Sequence, residues 1–248
     1  TLFPVLELAQ MAKDKGILFH TDAVQVVGKM PINLASSAID LLSFSGHKLH
    51  GPKGVGALYV RRGTRFRPLL RGGHQERGRR AGTENSAGII GLGMACELAE
   101  LHMSMLEGPI RALRDKLEQA LLAAVPCAMV TGDPENRTPN TLNIAFEFVE
   151  GEAILLMLNQ LGIAASSGSA CTSGSLEPSH VMRAMGIPYT AAHGSIRFSL
   201  SRFSREREID QVILQLPMII ERLRSLSPYW QQNKPQLASH GEFAPAYG

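Results

Sequence analysis

Lys48 follows an apolar run, Ile39 to Phe44, that ends in Ser45-Gly46-His47-Lys48-Leu49-His50-Gly51-Pro52-Lys53-Gly54. Such a pattern describes a buried strand that stops abruptly and opens at its carboxyl end into a turn. Open α/β sheets hold their ligands in the crevice beyond those ends. A lysine buried there loses proton affinity, and its free amine can attack a carbonyl and form a Schiff base. Ser45 and His47 beside it can both donate to an anion such as a phosphate. Read alone, the stretch describes a surface lysine in a Gly-rich loop equally well.

Upstream, Gly16-Ile17-Leu18-Phe19-His20-Thr21-Asp22-Ala23-Val24-Gln25 holds a second short apolar run, a strand through Leu18, and it leads to a carboxylate. Two neighbouring strands would deliver Asp22 and Lys48 to one edge. Pyridoxal phosphate enzymes use that pair, the lysine on the aldehyde and an acid on the pyridine nitrogen. A lone aspartate at a strand end is more often a cap. Asp22 in company with Gln25, Ser45, His47 and Lys48 describes a cofactor cradle.

His20 to Gln25 and Ser43 to Lys53 resemble the cofactor segments of cysteine desulfurases, pyridoxal phosphate enzymes of fold type I within aminotransferase class V. Arg79-Arg80-Ala81-Gly82-Thr83-Glu84-Asn85, Ser166 to Ser175 and Ser195-Ile196-Arg197-Phe198-Ser199 match further segments, in the family's order, from near Thr1 to about Ser225. Ser173 to His180 is most similar to the nitrogen-fixation branch. The resemblance implies an α/β protein: residues 1–103 as the later part of a large mixed-sheet cofactor domain, 104–226 as a smaller α+β domain carrying the cysteine loop, and 227–248 as an extended tail. Against the resembled family the chain begins within the large domain, so the segments with the ring-stacking group, a phosphate loop and an Asn near the ring oxygen are expected either in a longer protein of which this is a fragment or on another chain. A sheet without them would leave an edge and apolar surface exposed, so residues 1–248 alone are expected to make an incomplete site.

The resemblance further assigns roles. Lys48, Asp22 and Cys171 are catalytic; Asp22, Gln25, Ser45, His47, Lys48 and Thr83 bind pyridoxal 5′-phosphate, Thr83 reaching the phosphate in the partner of a homodimer. Arg197 holds the α-carboxylate of L-cysteine. Sulfur passes to Cys171 as a persulfide, L-alanine leaves, and an iron–sulfur scaffold protein, in nitrogenase cluster assembly, accepts the sulfur. His20, His47 and a residue of the family's earlier segments are candidate proton acceptors for the thiol. A selenocysteine lyase of the same fold would use the same lysine and aspartate. An aminotransferase would have no use for the thiol. A non-catalytic interaction subunit is the alternative outside enzyme chemistry.

The bulk numbers bound these readings. The 248 residues are 44% hydrophobic and 19% charged, an ordinary soluble balance, and the net charge of +3 is too small to imply nucleic acid. No apolar run is long enough to cross a bilayer. Cys96, Cys127 and Cys171 are odd in number and scattered, with no disulfide framework and no metal spacing, so a reducing cytosol is the expected compartment. His47 and His50 lack a completing ligand set, and no metal site is expected.

Several elements must position these groups. A helix over Pro4–Lys15 ends at Gly16, and a strand Val55–Val60 pairs by a hairpin with the one before Lys48. Arg61 to Arg80 holds eight arginines: a solvated loop, a nucleic-acid surface lacking stacking platforms beyond Phe66, or, by resemblance, a reach to the partner subunit. Ser86–His102 is Ala- and Gly-rich, a tightly packed helix with Cys96 as a small buried hydrophobe. Pro109–Ala124 is an amphipathic helix with Arg111, Arg114, Asp115 and Lys116 on its wet side. Ala128–Val130 and Thr141–Phe148 form strands, and Pro139 to Asn143 serves packing. A helix Glu152–Leu161 ends at Gly162 before a short strand Ile163–Ala165. Ser166 to Ser175 holds almost nothing that packs, which describes a mobile loop carrying the Cys171 thiol. Gly194–Leu200 is a strand in which Arg197 needs an anionic partner, protein or ligand. A last helix opens at Ser204 and runs through Leu226.

Overall fold

In the computed structural model, which describes residues 1–167, 179–231 and 234–235, Gly16 ends the first helix. Helix α1 (Val5–Asp14) closes when Gly16, at φ 68°, donates to the Lys13 carbonyl and Ile17 donates to the Ala12 carbonyl. That pair of bonds is a Schellman terminus. It consumes the Ile17 amide, so strand β1 is His20–Asp22 and not the expected run through Leu18, which is exposed. The chain divides into two compact units, Leu2–Glu107 and a second beginning at Gly108 that also takes in Thr1.

In the first unit β1 pairs parallel with β2 (Leu41–Ser45), and β2 pairs antiparallel with β3 (Gly56–Val60) by the expected hairpin. Leu42 and Phe44 turn to one face and pack with Ala9, Ala23 and Ile39. Asp22 and Ser43 are register partners, so His20, Asp22, Ser43 and Ser45 share the other face by strand alternation. Arg61 is no part of a solvated loop: its guanidinium donates to the carbonyls of Ile39 at 2.9 Å, Leu34 at 2.7 Å and Ser37 at 3.0 Å, tying the β1–β2 connection to the end of β3. The other seven arginines of that stretch are exposed, around a short α2 (Gln75–Gly78) in which Glu76 and Arg77 both take positive φ. Helix α3 (Ser86–Leu101) is capped by Asn85, whose side chain accepts from Gly88 N–H. It buries one stripe, Leu92, Ala95 and Ala99, while Ile90, Met94 and Leu101 stay exposed and Cys96 is half-buried, so it is less tightly packed than its composition suggested. A short α4 (Met103–Met105) follows, and the unit boundary falls in a π turn, Leu106–Ile110.

The second unit begins with α5 (Arg111–Ala124) and β4 (Ala128–Val130), β5 (Thr141–Phe146), α6 (Gly151–Gln160) and β6 (Ser166–Ser167). After the undescribed residues 168–178 come α7 (His180–Ala184), α8 (Tyr189–Ala192), β7 (Ser195–Ser199) and α9 (Glu206–Ser225), then β8 (Trp230–Gln231) paired with β9 (Lys234–Pro235). An antiparallel sheet in the order β4-β5-β7-β6 presents Leu142, Ile144, Phe146, Ile196 and Phe198 as one apolar face of the core. β5 stops at Phe146, two residues before Phe148, which sits at φ 65°. The strand expected at Ile163–Ala165 begins three residues later, as β6.

Three other expectations change. Arg114 is 4% exposed, off the wet side, because it lies on the stripe of Ile110, Leu117 and Leu121, and it donates to Asp115 and to the Thr138 carbonyl. α9 is capped one residue later than expected: Glu208 accepts from the Arg205 backbone N–H at 2.9 Å, while Ser204 accepts from Ser201 in the preceding turn. The start of the expected tail is docked, with Trp230 buried against Phe148 and Arg224. Asn140 serves packing, donating to the Leu200 carbonyl.

Gly194 marks how tightly this sheet closes. A Cβ there would fall inside the van der Waals envelope of the Phe146 carbonyl, with the Val149 carbonyl at 3.0 Å. Gly194→Ala is expected to destabilise the protein by about 2–3 kcal/mol through overpacking, read as an earlier denaturant midpoint.

Candidate active site

Because β1 and β2 are parallel, their carboxyl ends lie at the same edge, and that edge carries Asp22 and the Ser45–Lys48 segment. The Asp22 Oδ1 accepts from Val24 N–H at 2.9 Å, which holds the side chain at the strand end. Its other oxygen is left to accept from a ligand. Gln25 accepts from Lys29 through Oε1 at 2.9 Å, so its amide NH₂ remains a donor.

Beyond Ser45 the chain tightens into a 3₁₀ turn, Gly46–Leu49, closed by His50 at φ 62°. Positions three apart eclipse in such a turn, so Gly46 and Leu49 go inward together. Leu49 packs with Ala95 and Ala99 of α3, Gly46 N–H donates to Val55, and Gly51 N–H donates to Gly46. Gly28 can have no side chain here, since a Cβ would stand 2.5 Å from the Leu49 side chain. The inward pair fixes the outward pair, His47 and Lys48.

Lys48 is therefore exposed among the described residues, contrary to the buried lysine expected. Its ammonium has no hydrogen-bond or ion-pair partner among them. Ser45 Oγ and His47 Nδ1 are 2.7 Å apart. In the tautomer with a proton on Nδ1, histidine donates to the serine and frees the serine hydroxyl to donate outward. His20 Nε2 lies 3.2 Å from Ser43 Oγ on the same face.

Thr83 lies exposed on the loop before α3 and takes part in no hydrogen bond among the described residues. Arg197 belongs to β7 of the second unit, opposite Asn143 of β5 and Ser166 of β6. It has no carboxylate partner among the described residues, and its Nε is buried without an acceptor. Cys171 lies outside the described residues. Partial burial pushes the Cys96 thiol up; Cys127, although exposed, is also pushed up by the local desolvation of its sulfur and by the Glu147 carboxylate. Among the described residues no group of three or more His, Cys, Asp or Glu is placed to hold a metal, and no single helix is long and apolar enough to cross a membrane.

The donor set suits an anionic aromatic ligand: hydroxyl and imidazole donors for a phosphate, an amide for a ring oxygen, a carboxylate for a ring N–H, and the exposed Lys48 side chain on the same edge. A mixed sheet with that set at its carboxyl edge is the frame of the type I pyridoxal phosphate fold. The chain belongs to the aminotransferase class-V family, whose model matches residues 1–212. It is 68% identical over 247 residues to a cysteine desulfurase of Enterobacter agglomerans, covering 100% of this chain and 61% of that protein. It is equally 68% identical over 248 residues to the cysteine desulfurase NifS of Azotobacter vinelandii, covering 62% of it. Among solved structures, a NifS-like protein superposes with a TM-score of 0.81 at 37% identity, over 90% of this chain and 58% of that one. A NifS-like protein from Rickettsia africae gives 0.79 at 32% identity, over 88% and 57%. The chain thus spans about three fifths of the length of the curated relatives it matches.

Proposed function

We propose that this chain works as a pyridoxal 5′-phosphate-dependent cysteine desulfurase, which takes sulfur from L-cysteine and releases L-alanine. The observation that carries the reading is the shared edge at which register places Asp22 beside the segment bearing Lys48. Its relatives' names point the same way. Asp22 would hold the pyridine nitrogen, Gln25 the ring oxygen, and Ser45 and His47 the phosphate. When bound, the cofactor supplies an electron sink conjugated to the substrate's α-carbon.

The chain's own residues do the rest. Lys48 Nζ takes the proton from the α-carbon, and Arg197 pairs its planar fork with the α-carboxylate. The Cys171 thiolate attacks the substrate sulfur: an S–S bond forms, the C–S bond breaks, and its electron pair stays with the carbon skeleton, which is protonated and leaves as alanine. No outside oxidant is needed to make the persulfide. The exposed arginines and Thr83 suit a reach to a second copy in a homodimer. An iron–sulfur scaffold protein in a reducing cytosol, in nitrogenase cluster supply, fits as the acceptor.

The test is Cys171→Ala. L-alanine and sulfide production from L-cysteine should fall on the order of 10³-fold or more, with cofactor absorbance retained. Turnover close to that of the unsubstituted protein would remove Cys171 from its role and the desulfurase reading with it.

A further inference from the structure

The face of the second sheet that turns away from its apolar core carries Asn143 on β5, Ser195 and Arg197 on β7, and Ser166 on β6. Asn143 and Arg197 are direct cross-strand partners, so their Cβ atoms stand about 5 Å apart. The Asn143 amide is pinned from its far side: Nδ2 donates to Ser195 Oγ at 2.9 Å and to Thr131 Oγ1. Ser195 is itself buried. Two atoms in this cluster are left over. Asn143 Oδ1, an acceptor, and Arg197 Nε, a donor, are both buried with no hydrogen-bond partner among the described residues.

Buried polar groups are almost always paired, and here an unpaired acceptor and an unpaired donor belong to facing residues, a complementary pair one small side-chain movement could join. An arginine that binds a carboxylate through its two terminal nitrogens leaves Nε–H free for a second acceptor. We infer that Asn143 is a positioning residue for Arg197, accepting from Nε–H and so fixing the plane of the guanidinium toward a carboxylate ligand. The amide cannot swing away, because two hydroxyls hold its other end. The inference rests on the reading of Arg197 as the carboxylate holder.

The test titrates the pyridoxal phosphate-loaded protein with L-alanine and with L-alaninamide, which lacks the carboxylate, while following cofactor absorbance. Asn143→Ala should weaken L-alanine binding about tenfold and leave L-alaninamide unchanged, the loss of one hydrogen bond to a charged group. Asn143→Asp, which keeps the shape, should weaken it further, since an internal carboxylate then competes for Arg197. The Asn143→Ala, Arg197→Lys double variant should bind L-alanine no worse than Arg197→Lys alone. Equal losses for the two ligands, or additive losses in the double variant, would mean that Asn143 only braces Thr131 and Ser195, and would overturn the inference. If Arg197→Lys itself leaves L-alanine binding intact, the carboxylate reading fails first and takes the inference with it.

Discussion

Lys48→Ala is expected to abolish the visible absorbance that pyridoxal phosphate shows when held by the protein, and to lower alanine formation by about 10²–10⁴-fold, the range for a lost proton-transfer group. The 3₁₀ turn makes the experiment clean. Its shape is set by what points inward, Gly46 and Leu49, and by backbone bonds from Gly46 to Val55 and from Gly51 to Gly46. The Lys48 side chain is exposed and joins none of this, so truncation should change stability by no more than about 0.5 kcal/mol. Lys48→Arg sharpens the result. It keeps the positive charge that could attract a phosphate, yet a guanidinium does not give up its proton in water, so its turnover should be as low as that of the alanine variant. Leu49→Ala should behave differently, loosening the turn against Ala95 and Ala99 and destabilising by about 2 kcal/mol or more. An undiminished absorbance band in Lys48→Ala would show that the cofactor is held elsewhere, and the assignment of this edge would fall.

Much of the first unit was legible because its signals are local. An apolar run broken by Gly and Pro marks β2 and its turn, and Gly16 marks the end of α1. The parallel pairing that brings Asp22 to the same edge follows from the β–connection–β order. The misreadings have physical causes. Ile17 and Leu18 look like strand, but the Ile17 amide is spent on closing the helix, and the first bond to β2 is made at the Phe19 carbonyl, which accepts from Leu41 N–H. Arg114 was placed by its charge although its position, four residues after Ile110 and three before Leu117, puts it on the buried stripe. Lys48 follows an apolar run, which predicts a lysine in a buried crevice; the described residues leave it exposed because the 3₁₀ turn sends Gly46 and Leu49 inward instead. Pro139 to Asn143 resembles a family segment and reads as packing alone, since the residue that faces Asn143 across the strands is 54 positions away. The docking of Trp230 is likewise non-local and leaves no periodicity behind.

That docking predicts the largest structural effect in the second unit. Arg224 is 2% exposed. Its Nε and Nη2 both donate to the Glu147 carbonyl at 3.1 Å, and Nη1 donates to the Pro126 carbonyl at 2.8 Å. Its guanidinium lies 4.0 Å from the centre of the Trp230 ring, which in turn meets Phe148 at 5.9 Å. Burial pushes the Arg224 pKa down, with the cation held in place by those carbonyls. Arg224→Met, similar in length but without donors, should strand two carbonyls and lose the ring contact, a destabilisation of about 3–4 kcal/mol in chemical denaturation. Trp230→Ala should lose a similar amount from burial alone, about 3 kcal/mol or more. The two losses should not add: once the arginine is gone the ring has no cation to cover, and the double variant should recover about 1 kcal/mol of the sum. Arg224→Lys separates charge from shape. It keeps a cation for the ring but cannot reach both carbonyls with a planar fork, so it should fall between the native protein and the methionine variant. Strict additivity would mean that Trp230 is buried independently of Arg224. The latch matters to the site because Glu147 directly follows β5, the strand that pairs with β7 and holds Asn143 opposite Arg197. On the reading of Arg197 as the carboxylate holder, releasing it should weaken carboxylate binding at denaturant concentrations too low to unfold the unit.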